Sequence, residues 1–86
     1  MAVVYLSAVL RPLAGGAQQV NATGSTVRGV IEDLVRQFPA LSDRIIDEAG
    51  TRPEILLAVG ADEIFDLNSP VAPDSEVHVL PAMAGG

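Results

Sequence analysis

The last six residues of the chain, Pro81-Ala82-Met83-Ala84-Gly85-Gly86, end in two consecutive glycines. Glycine has no Cβ atom, so a Gly-Gly segment allows close backbone approach and unusual dihedral angles. Such a segment can pass through a narrow enzyme tunnel and present the α-carboxylate of Gly86 for activation. A partner that uses ATP could convert this carboxylate to an acyl-adenylate, a good electrophile for a sulfide equivalent or a cysteine. We therefore expect the chemistry of this chain to reside at Gly86; the alternative is an ordinary frayed terminus.

Few other side chains are suited to catalysis. The 86 residues include no cysteine, which excludes disulfides, thiol nucleophiles and zinc–thiolate sites. Because His78 is the one histidine, a site with several histidine ligands is excluded as well. His78 alternates with Val77 and Val79 in an extended segment, so it points away from the face that the valines fill. It is either a surface histidine or a docking contact near the C-terminal segment.

The carboxylates do not suggest an active site either. The pairs Glu32-Asp33, Asp47-Glu48 and Asp62-Glu63 are adjacent residues, and neighbours on a helix or a strand point to different sides. We interpret them as solvated faces. Gly15-Gly16 is followed by neither a lysine nor a helix, so it indicates a hairpin turn rather than a phosphate-binding loop. Without convergent catalytic groups, the domain is not expected to be an enzyme by itself, and no metal or bound cofactor is expected.

The composition restricts the partners. The formal net charge of −6 argues against nucleic acid and suits docking onto a basic protein surface, although acidity also serves solubility alone. No segment approaches the roughly 20 apolar residues that a membrane span needs. The N-terminal region has no basic segment before its apolar run, unlike a signal peptide. We expect a cytoplasmic protein that binds no membrane.

All five basic residues are arginines, and the chain contains no lysine. A carrier of a reactive acyl group would benefit from having no side-chain amine that could attack that group. Drift in arginine and lysine usage explains the same composition, and we favour that explanation.

The first half of the chain predicts a hairpin followed by a helix. Residues 3–10 are rich in β-branched and aromatic residues, residues 11–16 have turn chemistry, and residues 18–22 predict a second strand that pairs back. Ser25 or Thr26 can cap the helix that follows, and Pro39 stops it. One apolar stripe at helical spacing comprises Val27, Val30, Ile31, Leu34, Val35 and Phe38.

The second half predicts mostly strands. Residues 41–48 suggest a short second helical turn with Leu41, Ile45 and Ile46 facing inward. The apolar run 54–59 is typical of a strand in the middle of a sheet. A short strand at Ile64-Phe65, an irregular segment over 66–75 and a last strand over 76–80 follow, and Pro81 ends that strand.

This order of elements predicts an α+β fold of the β-grasp (ubiquitin-like) type. A mixed sheet of four to five strands would pack on one main helix, and the first and last strands could be parallel neighbours in its centre. We divide the chain into a β-grasp domain over residues 1–81 and a flexible C-terminal Gly-Gly tail over residues 82–86.

With these features, the chain resembles the ThiS/MoaD family of ubiquitin-like sulfur carriers over essentially its whole length. The resemblance rests on residues 79–86, on the helix residues 26–34 and on the acidic turn 74–77 before the last strand. The segments Leu10-Arg11-Pro12-Leu13-Ala14-Gly15-Gly16 and 81–86 are similar to those of the actinobacterial carriers that donate sulfur for cysteine biosynthesis.

The resemblance implies a mechanism and partners. An E1-like adenylating enzyme of the ThiF/MoeB type would use ATP to adenylate Gly86, and sulfur transfer would give a thiocarboxylate. A downstream biosynthetic enzyme would then accept the sulfur for cysteine, molybdopterin, thiamin or a specialised metabolite. By the same resemblance, Gly85 and Ala84 would thread the enzyme's tunnel, and Leu80 and Met83 would help to dock the partner, with His78 as a further contact.

Two other functions use the same features differently. A ubiquitin-like protein modifier would be joined through Gly86 to lysines of target proteins. A non-catalytic subunit would act through its acidic β-grasp surface, and its tail would be dispensable.

Overall fold

The computed structural model describes residues 1–82 and contains a five-stranded mixed sheet covered by one helix. The strands of this sheet are β1 Ala2–Leu6, β2 Gln19–Ala22, β5 Ile55–Val59, β6 Asp62–Ile64 and β7 Glu76–Pro81, and a separate two-stranded hairpin comprises β3 Ile46–Asp47 and β4 Gly50–Thr51. In space, the strands of the sheet lie in the order β2-β1-β7-β5-β6. Strand β1 pairs with β7 in parallel, with Val4 opposite Val77, and the other pairs are antiparallel. The predicted β-grasp fold and its central parallel pair are confirmed.

Helix α1, Val27–Gln37, forms where the apolar stripe predicts it. The side chain of Thr26 caps it, because its Oγ1 accepts a hydrogen bond from the Gly29 amide at 3.1 Å. At the other end, the Phe38 amide donates to the Leu34 carbonyl, and Pro39 begins a 3-10 turn, Pro39–Leu41. The buried face of α1 presents Val27, Val30, Ile31 and Leu34 to the sheet.

The core lies between α1 and one face of the sheet. Alternate residues of each central strand point into it, including Val4 and Leu6 of β1 and Val77 and Val79 of β7. The irregular segment after β6 closes the core with Leu67 and Val71, and backbone hydrogen bonds join this segment to the start of α1. Among residues 1–82 no polar or charged residue is buried, so the core between α1 and the sheet is apolar throughout.

The predicted second helical turn over residues 41–48 is wrong. The 3-10 turn ends at Leu41, and β3 and β4 then form a hairpin. Asp43, which has φ 61°, is in the left-handed region and interrupts any helix at that point. Leu41 and Ile45 are nevertheless fully buried, as predicted, whereas Ile46 is only partly buried.

Three predicted boundaries also move. Strand β1 ends at Leu6 rather than Leu10, and a 3-10 turn, Arg11–Ala14, follows. Strand β6 covers Asp62–Ile64, so Phe65 lies outside it and is 84% exposed. Strand β7 includes Pro81, whose nitrogen faces away from β5 in this register and therefore costs that ladder no hydrogen bond.

Candidate functional site

Strand β7 leads from the centre of the sheet directly to the C-terminal segment. It lies between β1 and β5, and Pro81 still pairs with Ile55. The Ala82 amide donates to the Glu54 carbonyl at 3.0 Å, which fixes the chain one residue beyond the strand. The residues predicted to serve in docking, threading and sulfur transfer beyond this point lie outside the described residues: Met83, Ala84, Gly85 and Gly86. Ala82, from here on called the tail root, is therefore held in a fixed position on the sheet.

An arginine stabilises the loop that holds this root. Arg52 donates from Nε to Glu54 Oε1 at 2.9 Å and from Nη1 to Asp47 Oδ2 at 3.1 Å. The hydrogen bond from Arg52 lowers the pKa of Glu54, and the bonds to Glu54 and then Asp47 raise the pKa of Arg52. The two ion pairs of Arg52 connect Glu54, which precedes β5, to Asp47 of the β3–β4 hairpin. They lie beside the point where the chain leaves the sheet.

The sheet face opposite α1 is open and carries both described docking candidates. Leu80 is 40% exposed and lies opposite Leu56 in the ladder. His78 points to this face, because its neighbours Val77 and Val79 fill the core. Its imidazole stacks on Tyr5, with ring centroids 4.9 Å apart, and its Nε2 lies 3.4 Å from Glu76 Oε1. The open face therefore has apolar and aromatic side chains on β7, which leads to the tail root, and on the two neighbouring strands β1 and β5.

Sequence reasoning missed Tyr5 and Leu56 as members of this face. Both occupy outward positions of their strands, and the residues of β1 that flank Tyr5 are buried, so the alternation of β1 contained a usable signal for Tyr5. The stack of Tyr5 on His78 was not predictable, because it depends on the parallel pairing of two strands that are distant in sequence.

A groove also lies beside the tail root, on the helix side of the sheet. Its volume is about 410 Å³, and its apolar lining is Val9, Leu10, Ile55 and Pro81. Ser7 and the charged residues Asp43, Arg44, Arg52 and Glu54 complete it. The groove joins four separate segments of the chain, so no local pattern in the sequence indicated it.

Within residues 1–82, no group of three or more His, Cys, Asp or Glu side chains is placed to hold a metal ion. None of the helices in this part of the chain has the length and apolar character that crossing a bilayer would require.

Comparison with known proteins identifies the family. The sequence model of the ThiS family matches residues 4–86. The chain belongs to the ThiS family. This confirms the resemblance to ubiquitin-like sulfur carriers inferred from the tail, the helix and the acidic turn.

Individual ThiS-like relatives agree with this assignment. The chain is 30% identical over 89 aligned positions to the sulfur carrier protein CysO of Mycobacterium tuberculosis, covering 96% of both chains. It matches CysO in the crystal structure of the Amycolatopsis orientalis BexX/CysO complex with a TM-score of 0.92 and 27% identity, over the full length of both chains. SAMP1 from Haloferax volcanii matches with a TM-score of 0.78 and 26% identity, over 99% of this chain and 98% of that one. The ThiS family and the CysO relatives support a sulfur carrier function.

Proposed function

We propose that this chain is a sulfur carrier protein that bears sulfur as a thiocarboxylate on Gly86. The observation that carries the proposal is the match of the ThiS family through residue 86, in a chain that resembles the CysO sulfur carriers over nearly its whole length. The fold fits this role, because β7 leads to Ala82, which is fixed to the sheet and lies four residues before Gly86.

The chemistry proceeds in two steps at the carboxylate of Gly86. The Gly86 carboxylate attacks the α-phosphate of ATP, which gives the acyl-adenylate and releases pyrophosphate. A sulfide equivalent then attacks the acyl carbon, and AMP leaves with the C–O bond electrons. The product is the thiocarboxylate, which a downstream enzyme consumes as its sulfur source.

The partners follow from these steps. An E1-like enzyme of the ThiF/MoeB type supplies the ATP site and admits Gly85 and Ala84 through its tunnel, and a sulfur-accepting biosynthetic enzyme follows it. We assign no enzymatic activity to the chain itself, and we place its action in the cytoplasm. CysO in the Amycolatopsis structure occurs as a complex with BexX, a precedent for a carrier of this fold bound to a second protein.

The open sheet face is the proposed docking surface for both partners. Leu80 and His78 lie on β7, the strand that leads to the tail, so a partner that holds them also positions the tail root. Met83 would extend the apolar contact. The formal charge of −6 favours partners whose rim is basic.

Intact-protein mass spectrometry tests the proposal. The full chain is incubated with an E1-like adenylating enzyme from its own organism, ATP and sulfide. We expect a mass increase of one oxygen-to-sulfur exchange that requires ATP, and no increase in a variant lacking Gly85 and Gly86. A chain that keeps its mass with an enzyme that demonstrably adenylates it would contradict the sulfur-transfer step.

A second function is the joining of Gly86 to lysines of other proteins. The similarity to SAMP1, a small archaeal modifier protein, favours it as an additional use of the same tail. Higher-mass adducts in cell extracts that disappear when Gly86 is deleted would establish it. If truncation of the tail leaves the cellular function unchanged, the chain is instead a non-catalytic subunit.

A further inference from the structure

The groove beside the tail root has a lining that differs from the rest of the surface. Val9 is 79% exposed at its rim, and Leu10, Ile55 and Pro81 form its apolar floor. Its volume of about 410 Å³ is within the range of pockets that hold small ligands, roughly 300 to 1,000 Å³. It is therefore large enough for a short peptide.

The four residues after Ala82 are the nearest candidate occupant. Pro81 lines the groove, and the Ala82 amide is fixed to the Glu54 carbonyl, so residues 83–86 begin at the rim. Four residues span at most about 14 Å. The sequence Met83-Ala84-Gly85-Gly86 offers one long apolar side chain followed by residues small enough to turn back over Pro81.

One arginine of the groove, Arg44, is suited to bind a segment that ends in a carboxylate. Arg52 is already bound to Asp47 and Glu54, whereas Arg44 forms no ion pair with any residue in the range 1–82. Asp43, at the same rim, opposes an anion and limits the strength of the contact. Arginine binds a carboxylate through a planar fork of donors. Unlike lysine, it has no free amine that would attack an activated acyl group.

We propose that residues 83–86 dock in this groove between encounters with partners, with the Gly86 carboxylate against Arg44. The groove then holds the reacting end against the protein until a partner displaces it. This inference rests on the proposed function only in taking Gly86 as the reacting residue. The test of the docking needs no activating enzyme, so the docking and the proposed sulfur-carrier function can fail independently of each other.

Proximity capture tests the docking. A full-length intein fusion cleaved with a small thiol gives the Gly86 thioester. In Arg44→Lys, the lysine amine attacks the thioester carbonyl, a C–N bond replaces the C–S bond, the thiol leaves, and the amine proton neutralises the thiolate. Because the natural chain has no lysine, the variant carries a single side-chain amine. Mass spectrometry follows the loss of the thiol, and tandem spectra locate the new amide.

Arg36→Lys is the matched control. Arg36 is exposed on α1 and binds Asp33, which contacts Thr23 beyond β2, away from the tail root. We expect intramolecular capture at least about tenfold faster in Arg44→Lys, as effective concentration dictates. Adding Val9→Ser to Arg44→Lys should slow the capture, because it removes apolar lining. Because the thioester has no carboxylate, the capture rate reports whether the tail occupies the apolar groove, and equal rates at positions 44 and 36, or no effect of Val9→Ser, would overturn that docking.

Nuclear magnetic resonance examines the native carboxylate. Deletion of residues 83–86 should shift the amide signals of Leu10 and Arg44, which are remote from the deletion in sequence, and leave Val30 in α1 unshifted. Arg44→Gln in the full chain should shift Leu10 in the same direction as the deletion. If Leu10 and Arg44 have identical signals with and without residues 83–86, the groove is empty and the proposal is wrong.

Discussion

The imidazole of His78 stacks on the ring of Tyr5, with the two planes 12° apart. The contact joins β7 to β1 on the open face of the sheet, where the two strands run in parallel and place these residues opposite each other. It therefore anchors β7, the strand that leads to the tail, on the sheet face opposite α1.

The stack should contribute a measurable coupling energy. Single replacements Tyr5→Ala and His78→Ala and the double variant define a thermodynamic cycle in chemical unfolding. We expect a coupling of about 0.5–1.5 kcal/mol, the range of aromatic pairs. Additive effects of the two replacements would show that the stack does not stabilise the fold.

Leu80 should be a binding residue rather than a stability residue. Leu80→Ser removes apolar surface from the open face, and we expect affinity for the adenylating enzyme to fall at least tenfold, about 1.4 kcal/mol. Phe65→Ser is the matched control, because Phe65 is more exposed but follows the edge strand β6. Titration calorimetry should show unchanged affinity for that control. Equal losses in both variants would place the docking surface elsewhere.

Two glycines near the start of α1 should respond in opposite ways to alanine. A Cβ on Gly24 would lie 2.5 Å from the Val30 nitrogen, so Gly24→Ala should cost about 1–3 kcal/mol. A Cβ on Gly29 would have its nearest contact at 3.4 Å, so Gly29→Ala should gain up to about 1 kcal/mol of helix propensity. Urea unfolding of the two variants measures both. A stabilised Gly24→Ala variant would contradict the close approach of this loop to α1.

Acid should weaken the fold through two carboxylates. The Thr23 amide and then Arg36 lower the pKa of Asp33 from 3.8, and Arg52 lowers that of Glu54 from 4.5. A carboxylate whose pKa is lower in the folded state than in the unfolded state stabilises the fold at pH values above its unfolded-state pKa. This stabilisation is lost as the pH falls through its folded-state pKa. The free energy of unfolding should therefore decline below about pH 4.5.

Denaturant unfolding at a series of pH values checks this decline. The variants Asp33→Asn and Glu54→Gln should each show a smaller decline than the natural chain, because each removes one linked group. If the free energy of unfolding declines as steeply in both variants as in the natural chain, other carboxylates cause the decline.

Patterns within single segments were enough to predict the helix, the central strands and the fold. The stripe from Val27 to Phe38 and the alternation around Val77 and Val79 each report local geometry that tertiary packing then preserves. The segment 41–48 was mispredicted because the spacing of Leu41 and Ile45 suits a helix as well as a turn that buries both.

The site was predictable only in part. The Gly-Gly ending and the exposed side of β7 can be found in the sequence, so Gly86, Leu80 and His78 were candidates before the fold was known. The Tyr5 contact and the groove at Arg44 arise from segments that only the folded chain brings together. Local spacing has no information about such contacts.

The position of the added sulfur tests the central claim most directly. After reaction with the adenylating enzyme, ATP and sulfide, tandem mass spectrometry of the intact chain locates the oxygen-to-sulfur exchange. We predict that every fragment containing Gly86 carries the exchange and that fragments ending before it do not. An exchange found on fragments that lack Gly86, or an adenylated chain that never gains sulfur, would contradict the account.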